Sequence, residues 1–356
     1  MKIKEFLKKS KLIYESVLSK GVVLGNQAAD LDSIVSSISM AYYLSLKKDS
    51  PTSYVPIINS TKSIIKSKKE CMYLLDYFSI DLEQDLLFLS EWKKDEINDV
   101  ILVDHNELDM KEKDLGIHKL VSGVIDHHSD KQLFLKSSPR IIDISVGSCS
   151  TLVADLIFNS DFKLDKSVAT LLLFPILSDT SNLTIRTSDK DFKIVEQLKK
   201  ITEIDLNLLY YKIEKFKFDT SKEDILISLM KDYKQYELEY NTWGLSSVTF
   251  SVIDWINESK TEINKIEKLM HEKSLFFYGI LSCFKIKDTT EFKRDLILFS
   301  NKNILDKIKF NLIKDVTLVE RNEIHKSFGY LLYEINFVSL TRKHWHPELE
   351  KILKDL

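Results

Sequence analysis

Short apolar runs bounded by polar residues recur through the first half of the chain. Between them lie stretches in which apolar positions return every three to four residues. The first pattern marks buried strands, the second helices. Strands are expected over 21–25 (GVVLG), 54–58, 86–89, 100–103 and 121–125, and a helix over 33–46 (SIVSSISMAYYLSL). Further helices are expected over 150–158, 166–177 and 189–201. Strands that are apolar throughout must be covered on both faces. Their alternation with helices therefore predicts an α/β domain built on a parallel sheet with flanking helices.

The pattern changes near 204–207. A helix over 225–233, a strand over 245–253, a helix over 258–273 and strands over 275–284, 296–299, 316–319 and 330–337 predict a smaller mixed α+β domain. Two domains follow, 1–205 and 206–356. No long Gly/Pro/Ser linker separates them, so a short join is expected, suited to closing two domains over a ligand.

Composition narrows this picture. With 44% hydrophobic and 29% charged residues the chain can fill its cores, and global disorder is excluded. Lys+Arg 51 against Asp+Glu 54 gives −3, which argues against general nucleic-acid affinity. The basic run 62–69 (KSIIKSKK) reads as a solvated face. Three cysteines, Cys71, Cys149 and Cys283, have no metal-type spacing and fit a reducing compartment. Lysines interrupt every apolar run of the N-terminal segment, so it reads as an amphipathic helix rather than a leader. The apolar stretch near Leu171 falls short of the ~20 residues a membrane span needs. A cytoplasmic protein with no membrane partner is expected.

The candidate chemistry is concentrated where apolar runs stop. Asp30 and Asp32 follow Val22-Val23-Leu24, Asp104 follows Val103, Asp126-His127-His128 closes the run at 121–125, and Asp179 ends the stretch 171–177. A single Asp in such a place is usually a turn or cap residue; four segments in order are a site. Ligands bind beyond the carboxyl ends of parallel strands, so these groups are expected to meet at one sheet edge. Crowded carboxylates without a cation raise one another's pKa. Divalent metal removes that cost, and oxygen with imidazole donors suits Mg²⁺, Mn²⁺ or Co²⁺. Two ions ~3.5–4 Å apart would clamp a phosphoryl group. Ser148 and Cys149 are expected to open a helix whose N-terminus faces the site and favours an anion.

GNQAADLDSI (25–34), ILVDHNEL (101–108), GVIDHHSD (123–130), VGSCSTLVADLI (146–157) and LLLFPILSDTSNL (171–183) resemble the motifs of the DHH phosphoesterases. LMKDYKQY (229–236), WGLSSV (243–248), DWI (254–256) and SLTRKHWHP (339–347) extend the resemblance to the branch with a DHHA2-type C-terminal domain. It covers nearly the whole chain. Family II inorganic pyrophosphatases and cytosolic exopolyphosphatases share this layout.

The resemblance implies that Asp104 bridges two metal ions, that Asp30 serves one, and that Asp32, His127 and Asp179 serve the other. It makes Asp104, Asp126 and His128 the catalytic group, with Asp126, like His105 and Asn106, in a supporting place. His128 would face the scissile phosphate; its alternative role is to orient His127. Arg342, Lys343 and His344 resemble the substrate-binding loop of the second domain. Lys234 would be a third cation, or else a surface lysine. Trp345 and His346 read as packing residues. One position departs from the pyrophosphatase pattern: Asn26 stands where those enzymes carry a metal-binding histidine. Its amide oxygen either ligates weakly, shifting preference towards Mg²⁺, or only caps the following turn.

The implied activity is that of an exopolyphosphatase, in which water activated by two metals removes the terminal phosphate of linear polyphosphate. The alternatives are a pyrophosphatase, a Prune-like enzyme acting on short polyphosphates or nucleotides, and a scaffold that has lost catalysis. Cleavage of nucleic acid is not expected, because the GGGH-type motif of such relatives is absent.

Overall fold

The computed structural model describes residues 1–16, 20–47, 52–93, 96–219, 224–238, 241–258, 262–286, 289, 291–311, 316–325 and 328–354. The chain divides into two compact units, Met1–Lys217 and Phe218–Leu356.

In the first unit α1 (Ile3–Glu15) leads into β1 (Lys20–Leu24), α2 (Leu31–Leu46), β2 (Tyr54–Ile57), α3 (Lys62–Ser67) and α4 (Lys69–Tyr77). Then follow β3 (Ile97–Val103), α5 (Met110–Asp114), β4 (Val121–Asp126), β5 (Arg140–Ile142), α6 (Cys149–Phe158), α7 (Lys166–Asp179), α8 (Asp189–Thr202) and α9 (Leu206–Lys217). The strands form one parallel sheet in the order β2-β1-β3-β4-β5. Successive residues of each central strand enter opposite cores. Val23, Ile101 and Ile125 pack with α2, α4, α6 and α7, while Val22, Leu24, Val100, Leu102 and Val124 pack on the other face. That two-sided burial is why the inner part of each central strand is apolar on both faces. The strand order reverses between β1 and β3, which opens a crevice at their carboxyl ends.

Two expectations are corrected here. Residues 86–89 form no strand: Phe88 makes a single bridge to Ile58, and Leu89–Glu91 is a 3₁₀ turn. The edge strand β5 has no apolar run to announce it. Within the basic run, Lys68 is 2% exposed and its ammonium is hydrogen-bonded inside the protein, so this face is not solvated throughout. The helix α9 packs through Leu209 and Ile213 on the first core, and the first unit accordingly extends to Lys217.

The second unit comprises α10 (Ile225–Lys231), β6 (Tyr233–Leu238), β7 (Asn241–Val248), α11 (Val252–Glu258), α12 (Ile263–Glu272) and β8 (Leu275–Ser282). It continues with β9 (Phe284–Lys285), β10 (Phe292–Lys293), β11 (Asp295–Ser300), α13 (Lys302–Asn311), β12 (Val316–His325), β13 (Phe328–Ile335) and α14 (Arg342–Lys354). Six strands form a mixed sheet, β12-β13-β11-β8-β7-β6, in which only β7 and β8 run parallel. One face packs on α10–α12, the other on α13 and α14. The helix expected over 225–233 stops at Lys231, and Tyr233 begins an edge strand instead. The strand expected over 245–253 ends at Val248, because Ser251 and Asp295 start α11. Among the described residues no helix is long and apolar enough to cross a membrane.

Candidate metal centre

The carboxyl ends of β1, β3 and β4 deliver the acidic and imidazole groups. After β1 the chain folds back so tightly that a Cβ on Gly25 would stand 2.1 Å from Ser33 Oγ. Asn26 then organises its own turn: Oδ1 accepts from the N–H groups of Ala28 (2.8 Å) and Ala29 (3.2 Å). Asp30 ends the turn as the N-cap of α2, accepting from Ser33 N at 3.0 Å. Asp32 follows on the first turn of α2.

Beyond β3, Asp104 is buried and adopts a left-handed φ of 62°, a conformation that Asp tolerates better than most residues. His105 braces this corner. Its Nδ1 lies 3.0 Å from Val103 O and its Nε2 3.1 Å from Glu112 Oε1. Burial opposes the charged ring, but the Glu112 carboxylate outweighs it and lifts the pKa to about 9. Both ring nitrogens then donate.

Asp104, His127 and His128 come together so closely that one ligand atom of each lies within 4.8 Å of the others. His127 Nδ1 is 3.3 Å from Val146 O, which directs Nε2 towards Asp104 Oδ1 (3.3 Å) and Asp32 Oδ2 (3.6 Å). A carbonyl on the far nitrogen and carboxylates on the near one is the arrangement that orients a metal-binding imidazole. His128 stands edge-on to His127 and engages Asp126 Oδ1 through Nδ1 at 2.8 Å. Asp126 is fully buried and also accepts from the backbone N–H groups of His127 and His128. Burial disfavours its charge, but His128, His127 and Asn106 hold its pKa well below the usual carboxylate range. Asn106 ties the segment after β3 to the segment after β4: Nδ2 donates to Asp126 Oδ2 (2.5 Å) and Ser129 O (3.1 Å), while Oδ1 accepts from Lys131 N (2.8 Å).

The N-terminus of α6 does face this cluster, as expected, but the anion on it is Asp32. Oδ2 accepts from Cys149 N (2.6 Å), and Oδ1 accepts from Ser148 Oγ (2.7 Å) and Ser150 N (2.9 Å). Substrate is therefore not the group that satisfies these donors. Asp191, buried at the start of α8, fixes the approach to α6 by accepting from Gly147 N (3.0 Å) and Thr151 Oγ1 (2.5 Å).

Asp30 and Asp179 lie outside the tight group but share its electrostatics. Burial, then the charges of Asp32 and Asp30, push the Asp179 carboxyl up to about 7 against the pull of Lys217 and Arg186. Carboxylates held this near one another, beside an imidazole nitrogen with its lone pair directed at them, form a donor set for hard or borderline divalent cations. The residues fit such an ion. Asn26 does not add a ligand as it is placed. Its oxygen is spent on Ala28 and Ala29, and its Nδ2 donates to Asp104 Oδ2 (2.5 Å) and Asp104 O (3.1 Å).

Several supporting residues escaped the sequence reading. Glu112 closes an Asp109-x-x-Glu112 capping box, a visible signal for a helix start but not for a contact with His105. Asp191 sits in a similar Ser188 box. Lys68 gave no signal at all. In the second unit Arg342 opens α14 rather than lying in a loop, because Trp345, Leu349 and Leu353 bury one face of a helix there. Its guanidinium donates to Asp232 O (2.8 Å) and Asp232 Oδ1 (2.7 Å). Lys234 lies on β6, Lys343 is exposed, and the His344 ring meets Trp345 edge-on at 5.2 Å. Trp345 is buried, and His346 stacks on Tyr236 at 4.0 Å.

Comparison with known proteins agrees with this architecture. Residues 20–176 match the DHH family, N-terminal domain, and residues 211–352 match the DHHA2 domain. A putative exopolyphosphatase of Schizosaccharomyces pombe is 33% identical over 314 residues, covering 80% of this chain and 77% of that protein. Exopolyphosphatase PRUNE1 of Bos taurus is 30% identical over 250 residues; the match takes in 67% of this chain but only 54% of that relative. The manganese-dependent inorganic pyrophosphatase of Bacillus subtilis is 27% identical over 266 residues, or 72% of this chain and 80% of the relative.

Proposed function

The chain belongs to the DHH family and carries a DHHA2 domain, and from that premise we propose that it is a metal-dependent exopolyphosphatase. Its substrate would be linear polyphosphate and its product orthophosphate from the chain end. The observation that carries this reading is the Asn26–Asp104 pair. Where pyrophosphatases of this layout place a metal-binding imidazole, this chain places an amide whose nitrogen donates to Asp104. An N–H donor cannot ligate, so one of the two ions would be held by oxygen donors alone. Resemblance to a relative named as an exopolyphosphatase over 80% of the chain supports the same reading.

Asp30, Asp32, Asp104, His127 and Asp179 would hold two divalent ions, Mg²⁺ or Mn²⁺. When bound, these ions supply Lewis acidity towards phosphoryl oxygens and acidify water. The protein's own groups do the positioning. His127 is fixed by Val146 O, and Asp104 is fixed by Asn26 and by its corner. His128, with Nδ1 held by Asp126, turns its ring to the scissile phosphate as a hydrogen-bond donor. In this reading Arg342, Lys343, His344 and Lys234 are the groups that would meet substrate phosphates, and Arg342 would exchange its two-point grip on Asp232 for one on phosphate. Three free thiols fit a cytoplasmic location.

The test is phosphate release from pyrophosphate, tripolyphosphate and long-chain polyphosphate, side by side, in Mg²⁺ and in Mn²⁺. Release from the longer substrates with pyrophosphate left intact is expected. Rapid cleavage of pyrophosphate would overturn the reading in favour of a pyrophosphatase, the function named for the Bacillus subtilis relative.

A further inference from the structure

Lys68 sits at the joint between α3 and α4, where its backbone N–H bonds Ile65 O and its carbonyl accepts from Met72 N. The side chain runs inward, and the residue is 2% exposed. Its ammonium donates to the carbonyls of Ala28 and Ala29, the latter at 3.2 Å. Among the described residues no carboxylate lies within ion-pair distance of it. A buried ammonium satisfied mainly by carbonyls is costly, and an apolar side chain would fill the same space more cheaply. Its acceptors show what it does there.

Ala28 and Ala29 are the two residues before Asp30, and both are buried. Ala29 has a left-handed φ of 45°. The polar groups of this turn divide between two side chains. Asn26 takes the N–H groups of Ala28 and Ala29, and Lys68 takes their carbonyls. Neither carbonyl faces bulk water, so without Lys68 both would be left to find other donors. The turn is thus gripped from both sides immediately before it delivers Asp30 to the cap of α2 and Asp32 to the start of α6. Lys68 and Asp30 are also close enough to act on the same thiol, Cys71, with opposite sign.

We propose that Lys68 is a positioning residue for the divalent-cation site: its ammonium locks the Asn26–Asp30 turn and thereby sets the carboxylates of Asp30 and Asp32. The proposal rests on the metal-dependent reading above. It acts through the turn, and Lys68 itself touches neither ion nor substrate.

Manganese titration calorimetry on the full chain tests it, alongside thermal melting of the metal-free protein. Lys68→Met, similar in length but without donors, is expected to weaken Mn²⁺ binding by about 10- to 100-fold, the range seen when supporting groups behind metal ligands are removed. Lys68→Arg, which keeps donors and charge, is expected to restore most of the affinity. Should Lys68→Met fail to fold, Lys68→Gln, too short to reach both carbonyls, is expected to show the same loss. A purely structural lysine would lower the melting temperature and leave the Mn²⁺ affinity unchanged, and that result overturns the proposal. Tighter Mn²⁺ binding in Lys68→Met also overturns it, since charge repulsion rather than grip would then be the dominant effect. No Mn²⁺ uptake by the unaltered chain would sink the metal-dependent reading itself, whereas uptake that the variants fully share sinks this inference alone.

Discussion

The carboxylate of Asp32 is docked on the N-terminus of the helix that starts at Cys149, with Oδ2 only 2.6 Å from Cys149 N. Ser148 Oγ and Ser150 N complete the grip on Oδ1. A helix N-terminus carries partial positive charge, and here it stabilises a protein carboxylate that faces other carboxylates. Two opposing effects meet in one side chain, and their relative size decides what a neutral substitute does.

Asp32→Asn is isosteric but turns one oxygen into a donor. Whichever way the amide is rotated, its NH₂ opposes at least one N–H or O–H that now has an acceptor. Hydrogen bonds to a charged group contribute about 1.5–3 kcal/mol each when buried, and repulsion from Asp179 is relieved only in part by the change. The metal-free variant is expected to be less stable by about 2 kcal/mol in urea denaturation. An increase in stability would show that repulsion within the acidic group, not the helix terminus, dominates at Asp32.

Asp179→Asn should go the other way. Its carboxyl is raised from 3.8 to about 7 by burial and then by Asp32 and Asp30. The sign follows from linkage. An acid whose folded pKa is raised favours the folded state fully only below its unfolded pKa, and that stability is lost as pH rises through the folded value. The penalty is therefore absent below about pH 4 and complete above about pH 7. Removing the charge should stabilise the metal-free chain at pH 8 by on the order of 2 kcal/mol, seen as a rise of several degrees in Tm. The gain should vanish near pH 4, and stabilisation by Mn²⁺ should fall. A variant with unchanged Tm at pH 8 would contradict the electrostatic account.

The contrast between these two aspartates shows where sequence reading stops. Strands β1, β3 and β4 were legible because each carries an apolar run towards its carboxyl end, and side chains buried on both faces of a sheet leave that mark. The groups that follow those runs, Asp30, Asp32, Asp104 and Asp126-His127-His128, were legible for the same reason, since strand ends project to one edge. The edge strand β5 was not, because its three residues carry Arg140 and are only half buried. Nor could local pattern show that Asp32 would occupy the start of α6, over a hundred positions away. Lys68 was hidden by its neighbours: a lysine-rich stretch looks solvated, and only tertiary packing shows which one of its cations turns inward.

Gly147 precedes the same helix terminus and has no room for a side chain. A Cβ there would stand 2.4 Å from Thr180 Cγ2 and 2.5 Å from Arg186 O. A rotamer change moves the Thr180 methyl aside, but the backbone oxygen cannot yield without shifting its loop. Gly147→Ala is expected to cost about 1–3 kcal/mol and to disturb the N–H groups that hold Asp32. Thermal denaturation checks the stability loss, and Mn²⁺ titration checks whether Asp32 moves with it. Loss of stability with unaltered Mn²⁺ affinity would mean that α6 keeps its register despite the added methyl.

Asn26→His bears most directly on function, because it restores the imidazole of the pyrophosphatase pattern at a position this chain uses differently. The substitution removes an oxygen that accepts from Ala28 N and Ala29 N and an amide that donates to Asp104 Oδ2. About 1–2 kcal/mol of metal-free stability should be lost with these bonds. In return a nitrogen ligand becomes available, and imidazole favours Mn²⁺ over Mg²⁺ relative to oxygen donors. The variant is therefore expected to melt lower without metal, to bind Mn²⁺ more tightly than the unaltered chain, and to gain cleavage of pyrophosphate in Mn²⁺. Calorimetric titration with each ion and phosphate release from pyrophosphate check the three outcomes separately. If Mn²⁺ affinity fails to rise although the variant folds, the side chain at this position does not face the ion, and the choice of substrate must be set elsewhere in the chain.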